Sequence, residues 1–199
     1  MSELVLAITG ASGSLCGRRL LSELCRHPDV TRVNVVASLG ARKVAREELG
    51  LKGESVEEFR RAFAPEESAR LRWFDEGDLA APIASGSYPC RAMAVVPCST
   101  GTLASIALGA SRNLIHRAAE VTLKERRRLV LGVRESPYTL IHLENMRAAT
   151  LAGAVIAPIT PMFYNRPVHL EEIVEQYTAR VMDLLDLPHS IGKRWKADR

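Results

Sequence analysis

Short apolar runs alternate along this chain with stretches in which apolar residues recur every three or four positions. Residues 4–8, 32–38, 92–96, 127–133 and 153–158 are runs rich in Val, Ile, Leu and Ala. Runs of that length, enriched in β-branched residues and flanked by breakers or charge, predict strands. Between the first two, Leu15, Leu20, Leu21, Leu24 and Cys25 fall on one helical face, and Pro28 ends the pattern. Helical spacing returns over 40–49, 55–62, the stretch after 102, then 113–125, 138–151 and 170–186. Residues 63–90 predict short strands and loops, because Gly, Pro and Ser crowd their second half. The tail, about 187–199, has no clear period. Strands that are apolar throughout are buried on both faces. Alternating with helices, they predict a single-domain α/β fold, doubly wound around a mostly parallel sheet. Ligands of such sheets bind beyond the carboxyl ends of the strands, so the chemistry is sought there.

Composition narrows the picture. A chain of 199 residues with 47% apolar and 25% charged residues is an ordinary globular chain with room for a full core. The net charge of +4 is mild, but 22 of the 27 basic residues are Arg. Arginine suits planar recognition of phosphate or carboxylate, although solvated helix faces account for most of them. Aromatic residues make up only 5%, and no basic stripe interleaves with them, which argues against nucleic-acid binding. Cys16, Cys25, Cys90 and Cys98 form no CxxC pair and have no His at metal spacing, so they read as reduced thiols. With neither a signal-like start nor an apolar run of membrane-spanning length, a cytoplasmic protein with no membrane association is expected.

Four strand ends carry candidate chemistry. Thr9–Gly17, "TGASGSLCG", offers small residues and a helix start, the outline of a phosphate or flavin cradle; a tight turn without a ligand has the same look. Ser38 follows the second strand and suits either a phosphate oxygen or a plain helix cap. Pro97–Thr102, "PCSTGT", supplies three hydroxyls and a Gly before a helix, again either a nest of donors or an ordinary capped start. Arg134 and Glu135 end the strand predicted over 127–133. They are either a surface ion pair or part of a site. Arg117 and Lys124 lie seven residues apart, two turns along one helical face, and could converge with Arg134 on one dianion. Glu135 would then stand ready to pass a proton to a phosphate oxygen.

Taken together, "TGASG", "PCSTGTL", "LKERR", "RESPYTLIHLENM", "FYNRP" and the closing "RW" resemble the UbiX-type flavin prenyltransferases, from Thr9 to Trp195. The resemblance implies a Rossmann-like or flavodoxin-like subunit that binds FMN, assembled into a homo-oligomer, typically a dodecamer, with active sites between subunits. It implies transfer of a dimethylallyl group from dimethylallyl phosphate to N5 and C6 of reduced FMN, without a metal, and delivery of the product to a UbiD-type decarboxylase. By position, it assigns Gly10, Ala11, Ser12, Ser38, Ser99, Thr100, Gly101, Thr102 and Arg134 to FMN. Ser12 would lie near N5, and Glu48 would assist proton loss during ring closure. Ser85 and Gly86 match the prenyl-binding segment. Arg117, Lys124, Glu135, Tyr164 and Arg180 match the phosphate-holding set, and Trp195 an aromatic of a tail that closes over the site. Tyr88 departs from the smaller residues expected after "ASGS" and would narrow the prenyl pocket.

Two rivals share parts of this pattern. FMN-dependent Cys decarboxylases of the same fold carry "PASANT" at the second loop and a catalytic His, whereas no His occurs here between His27 and His116. Nicotinamide-dependent reductases with "TGASG" use Tyr-x-x-x-Lys, and none of the four Tyr residues here has Lys four positions on.

Overall fold

A computed structural model describes residues 2–53, 55–64 and 69–194. Six strands form one parallel sheet: β1 (Ser2–Ile8), β2 (Val30–Ala37), β3 (Leu71–Phe74), β4 (Cys90–Cys98), β5 (Arg128–Val133) and β6 (Ala154–Ile156), in the order β3-β2-β1-β4-β5-β6. The helices are α1 (Ser14–Arg26), α2 (Leu39–Leu49), α3 (Val56–Phe63), α4 (Thr100–Ala107), α5 (Leu114–Lys124), α6 (Leu140–Leu151) and α7 (Leu170–Leu184). The doubly wound fold is as the alternation predicts, with strand order reversing between β1 and β4.

Because side chains alternate along a strand, each central strand feeds two cores. Leu4, Leu6 and Ile8 of β1 pack with α1, α2, α3 and α7, through Leu20, Ala41, Phe59 and Val181 among others. Val5 and Ala7 face the other way, onto α4, α5 and α6 through Leu103, Leu114, Ile115 and Ala149. This division decides which candidate residues can meet.

Two stretches depart from the sequence reading. Over 97–102 a loop is expected, yet β4 runs on to Cys98 and α4 begins at Thr100, leaving Ser99 alone between them. Pro97 lacks an N–H but keeps a carbonyl, and that carbonyl accepts from the Thr9 N–H at 3.1 Å, so the strand holds through it. Over 63–90 the only described strand is the edge strand β3, followed by irregular chain and a 3₁₀ turn at Pro82–Ala84. Helix α6 buries only Ala149 and leaves Leu140, Ile141, Leu143 and Leu151 exposed. No helix among the described residues is long and apolar enough to cross a membrane.

Candidate active site

The carboxyl ends of β1 and β4 are stitched together by Thr9. Its buried hydroxyl donates to the Pro97 carbonyl at 2.9 Å and accepts from the Ser99 N–H at 2.7 Å. The first loop, Gly10 to Gly13, is thereby fixed against the second, Ser99 to Thr102. Gly10 has a backbone reason to be glycine, because a Cβ there would lie 3.0 Å from the Cα and C of Gly40 in the first turn of α2. Gly101 is the opposite case. A Cβ on it would meet nothing within 4 Å, so the first turn of α4 faces open space.

Three helix N-termini look into this crevice, and two are already met by carboxylates. Glu48, in the last turn of α2, accepts from the Ser14 N–H at 2.7 Å and from the Gly13 N–H at 3.0 and 3.1 Å. Partial burial alone would raise its pKa. Hydrogen bonds from the Ser12 and Ser14 hydroxyls and these two N–H groups outweigh that and hold it below the usual Glu value. Glu76 does the same for α2, accepting from the Leu39 N–H at 2.6 Å, while its other oxygen takes Asn113 Nδ2 at 3.1 Å. Ser38 is the cap of α2, its hydroxyl accepting from the Ala41 N–H at 3.0 Å. The first turn of α4 is capped by a neutral hydroxyl, Ser99 Oγ, which accepts from the Thr102 N–H at 3.3 Å and donates to Thr102 Oγ1 at 3.0 Å. A carboxylate-free helix start opening on space is where an added anion gains most.

Arg134 and Glu135 complete this end. The Arg134 N–H donates to the Cys98 carbonyl at 3.3 Å, which sets the exposed arginine beside the second loop. Glu135 Oε1 accepts from the Ser136 N–H at 2.9 Å. Two close loops, an open helix start and a flanking guanidinium fit a flat group that carries a phosphate, as FMN does. Among the described residues no three His, Cys, Asp or Glu side chains are grouped to hold a metal ion.

The remaining candidates lie elsewhere. Arg117 Nε donates to the Ala84 carbonyl at 3.1 Å and its Nη1 pairs with Glu120 at 3.1 Å, on the face of the sheet that α5 covers. Lys124 pairs with Glu125, and both crowd Gly86, so Ser85, Gly86 and Lys124 share the amino-terminal edge of the sheet. One chain therefore does not converge Arg117 and Lys124 with Arg134. Lys124 and Arg134 stand at opposite ends of β5, a strand that alone spans about 20 Å. Tyr88 donates its hydroxyl to Glu3 at the start of β1. Tyr164, in the 3₁₀ turn Phe163–Asn165, and Arg180 on α7 lie on the α1 face, lining an open pocket of about 560 Å³ with Gln176 and Lys193. Trp195 and the end of the tail lie outside the described residues.

The family profile described as Flavoprotein matches residues 1–182. A flavin prenyltransferase UbiX of Pseudomonas aeruginosa is 42% identical over 97% of this chain and 93% of its own length. The chain belongs to the UbiX-type flavin prenyltransferases. Among solved structures, AnUbiX (PadA1) in complex with FMN and dimethylallyl pyrophosphate is 38% identical and superimposes at a TM-score of 0.86, covering 98% of both chains. A dodecameric FMN-dependent UbiX-like decarboxylase from Escherichia coli O157:H7 gives 37% and 0.85, covering 98% of this chain and all of its own. The cypemycin decarboxylase CypD, the FMN-dependent cysteine decarboxylase TvaF and the peptidyl-cysteine decarboxylase EpiD match at 14–18% identity and TM-scores of 0.57–0.60, a likeness of fold alone. For this UbiX-type chain, sequence reading passed over Thr9 and Glu76 as individual site residues. Thr9 carried one signal, its place at a strand end; Glu76 carried none, since it sits in a stretch without period.

Proposed function

We propose that this protein joins a dimethylallyl group from dimethylallyl phosphate to reduced FMN, and that the product serves a UbiD-type decarboxylase. The observation that carries the reading is the crevice itself: loops joined by Thr9, an open α4 start, and Arg134 and Glu48 beside it, in a chain that spans nearly all of its prenyltransferase relatives. Gly10, Ala11, Ser12, Ser38, Ser99, Thr100, Gly101, Thr102 and Arg134 hold the flavin. When bound and reduced, FMN supplies the electron-rich ring that the five-carbon fragment joins. The allylic carbon–oxygen bond breaks with its electron pair passing to phosphate. Arg117, Lys124 and Arg180 stabilise the departing dianion, Tyr164 donates a hydrogen bond to it, and Glu135 gives it a proton. Ser85 and Gly86 border the prenyl chain. Glu48, held as a carboxylate, accepts a proton lost in the second bond-forming step.

Arg117 and Lys124 lie on one face of the sheet and Tyr164 and Arg180 on the other, so these groups meet only between copies. The exposed apolar face of α6 and the dodecameric relative support a homo-oligomer whose sites form at its interfaces. The test is anaerobic incubation with reduced FMN and dimethylallyl phosphate, followed by mass spectrometry of the flavin. A five-carbon increment is expected; unmodified flavin would sink the reading. The second loop, Pro97–Thr102, and the lack of a His between His27 and His116 disfavour a Cys decarboxylase.

A further inference from the structure

Beyond α7, residues 185–194 stay packed on the body of the fold. Leu185 and Leu187 are buried, and Ile191 packs against the same core. The buried His27 ring accepts the Asp29 N–H at Nδ1, so its Nε2 carries the proton and donates to the Pro188 carbonyl at 2.7 Å. Gly192 has φ +72°, and a Cβ there would lie 2.9 Å from Ala179 Cβ, so the segment presses on α7 as closely as a backbone can. All of this brings Ile191, Lys193 and Arg194 to the pocket that Tyr164 and Arg180 also line.

One side chain on α7 holds this segment by two others. Both Asp183 oxygens accept from Arg194, at 2.8 and 3.3 Å, and Oδ1 also meets His189 Nε2 at 3.1 Å. The His189 side chain is only 5% exposed and its Nδ1 finds no partner among the described residues, so Asp183 is the ring's anchor. Asp183 stands three residues after Arg180, near enough to compete for it. Its oxygens are engaged by the segment instead, and Arg180 stays exposed.

We propose that Asp183 is a positioning residue that fixes residues 187–194 as one wall of the phosphate pocket, keeping Arg180 available to the prenyl phosphate. The proposal rests on the reading of Tyr164 and Arg180 as phosphate ligands. Partial burial would raise the Asp183 pKa, but Arg194 and His189 more than offset it, so the group is held below the usual Asp value and the latch stays charged at neutral pH.

The experiment uses full-length FMN-loaded protein and three variants, Asp183→Asn, Arg194→Gln and the double. Arg194 is exposed, so its substitution leaves the fold intact even if Asp183→Asn does not. Calorimetric titration with dimethylallyl phosphate on oxidised FMN, where no transfer occurs, should show Kd raised about tenfold by either single change and no further by the double. KM should rise with it while kcat changes less than about twofold. Amide exchange over 187–194 should quicken in both variants without any ligand. Unchanged Kd, additive effects or unchanged exchange would overturn the proposal. Wild-type protein that binds dimethylallyl phosphate without transferring it would overturn only the functional reading; wild type that does not bind it would overturn both.

Discussion

Glu48 and Glu135 are two carboxylates at one crevice, and their partners give them different work. Glu48 is enclosed by N–H and O–H donors, which favour its charged form. Since its folded pKa is lowered, its stabilising contribution is present above the ordinary Glu value and is lost as pH falls through the lowered one. Glu48→Gln should therefore destabilise the protein by about 1 kcal/mol at pH 7, a helix-capping magnitude. In urea unfolding the gap between the two proteins should narrow as pH falls from the ordinary Glu value through the lowered one; a gap that stays the same at every acid pH would contradict this account. Glu135 Oε1 accepts one N–H, from Ser136. Glu135→Gln keeps the shape and removes the transferable proton, so flavin modification should slow by about 10² to 10⁴ while FMN affinity holds. A wild-type rate would reduce Glu135 to a structural neighbour of Arg134.

At the scale of elements, the crevice depends on how closely helix starts approach strand ends. Gly10→Val places a branched side chain where Gly40 backbone already sits at 3.0 Å from the first added carbon. The expected result is a loss of about 1–3 kcal/mol in stability, an overpacking cost, together with loss of FMN from the purified protein. Flavin retained in full would mean that α2 can move away freely. Gly101→Ala enters open space and should leave stability within about 0.5 kcal/mol while weakening FMN binding. That contrast, read by thermal unfolding and flavin titration, separates a glycine needed for packing from one needed for the ligand.

The whole molecule adds what neither residue nor element can. With Arg117 and Arg180 on opposite faces of one sheet, a site that uses both draws them from different copies. Arg117→Ala and Arg180→Ala should each be inactive as pure proteins. Co-assembled in equal amounts they should recover about a quarter of wild-type activity, because random mixing leaves that share of sites with both arginines. Sites contained within single chains would recover nothing. Charged-for-apolar changes on α6, such as Leu140→Asp, should lower the assembly size by light scattering and take activity with it.

Much of this was legible in the chain. Continuous apolar runs alternating with helical periods report burial on both sides of a strand, and that local signal yielded the parallel sheet and nearly every element. The i, i+7 spacing correctly put Arg117 and Lys124 on one face of α5. It was silent on the direction of β5, which carries Arg134 to the far end of the sheet. Whether Ser38 capped a helix or faced a phosphate was undecidable from sequence, since both uses need a hydroxyl before a helix; in the fold its hydroxyl caps α2, which leaves its second lone pair for a ligand, and α4 is the helix start without a carboxylate. The meeting of Glu48 with Ser12 and the stitch from Thr9 to Ser99 span 36 and 90 residues of sequence. Periodicity encodes which face of an element is buried, whereas hydrogen bonds between the ends of distant elements depend on their relative placement, and that exists only once the sheet has formed.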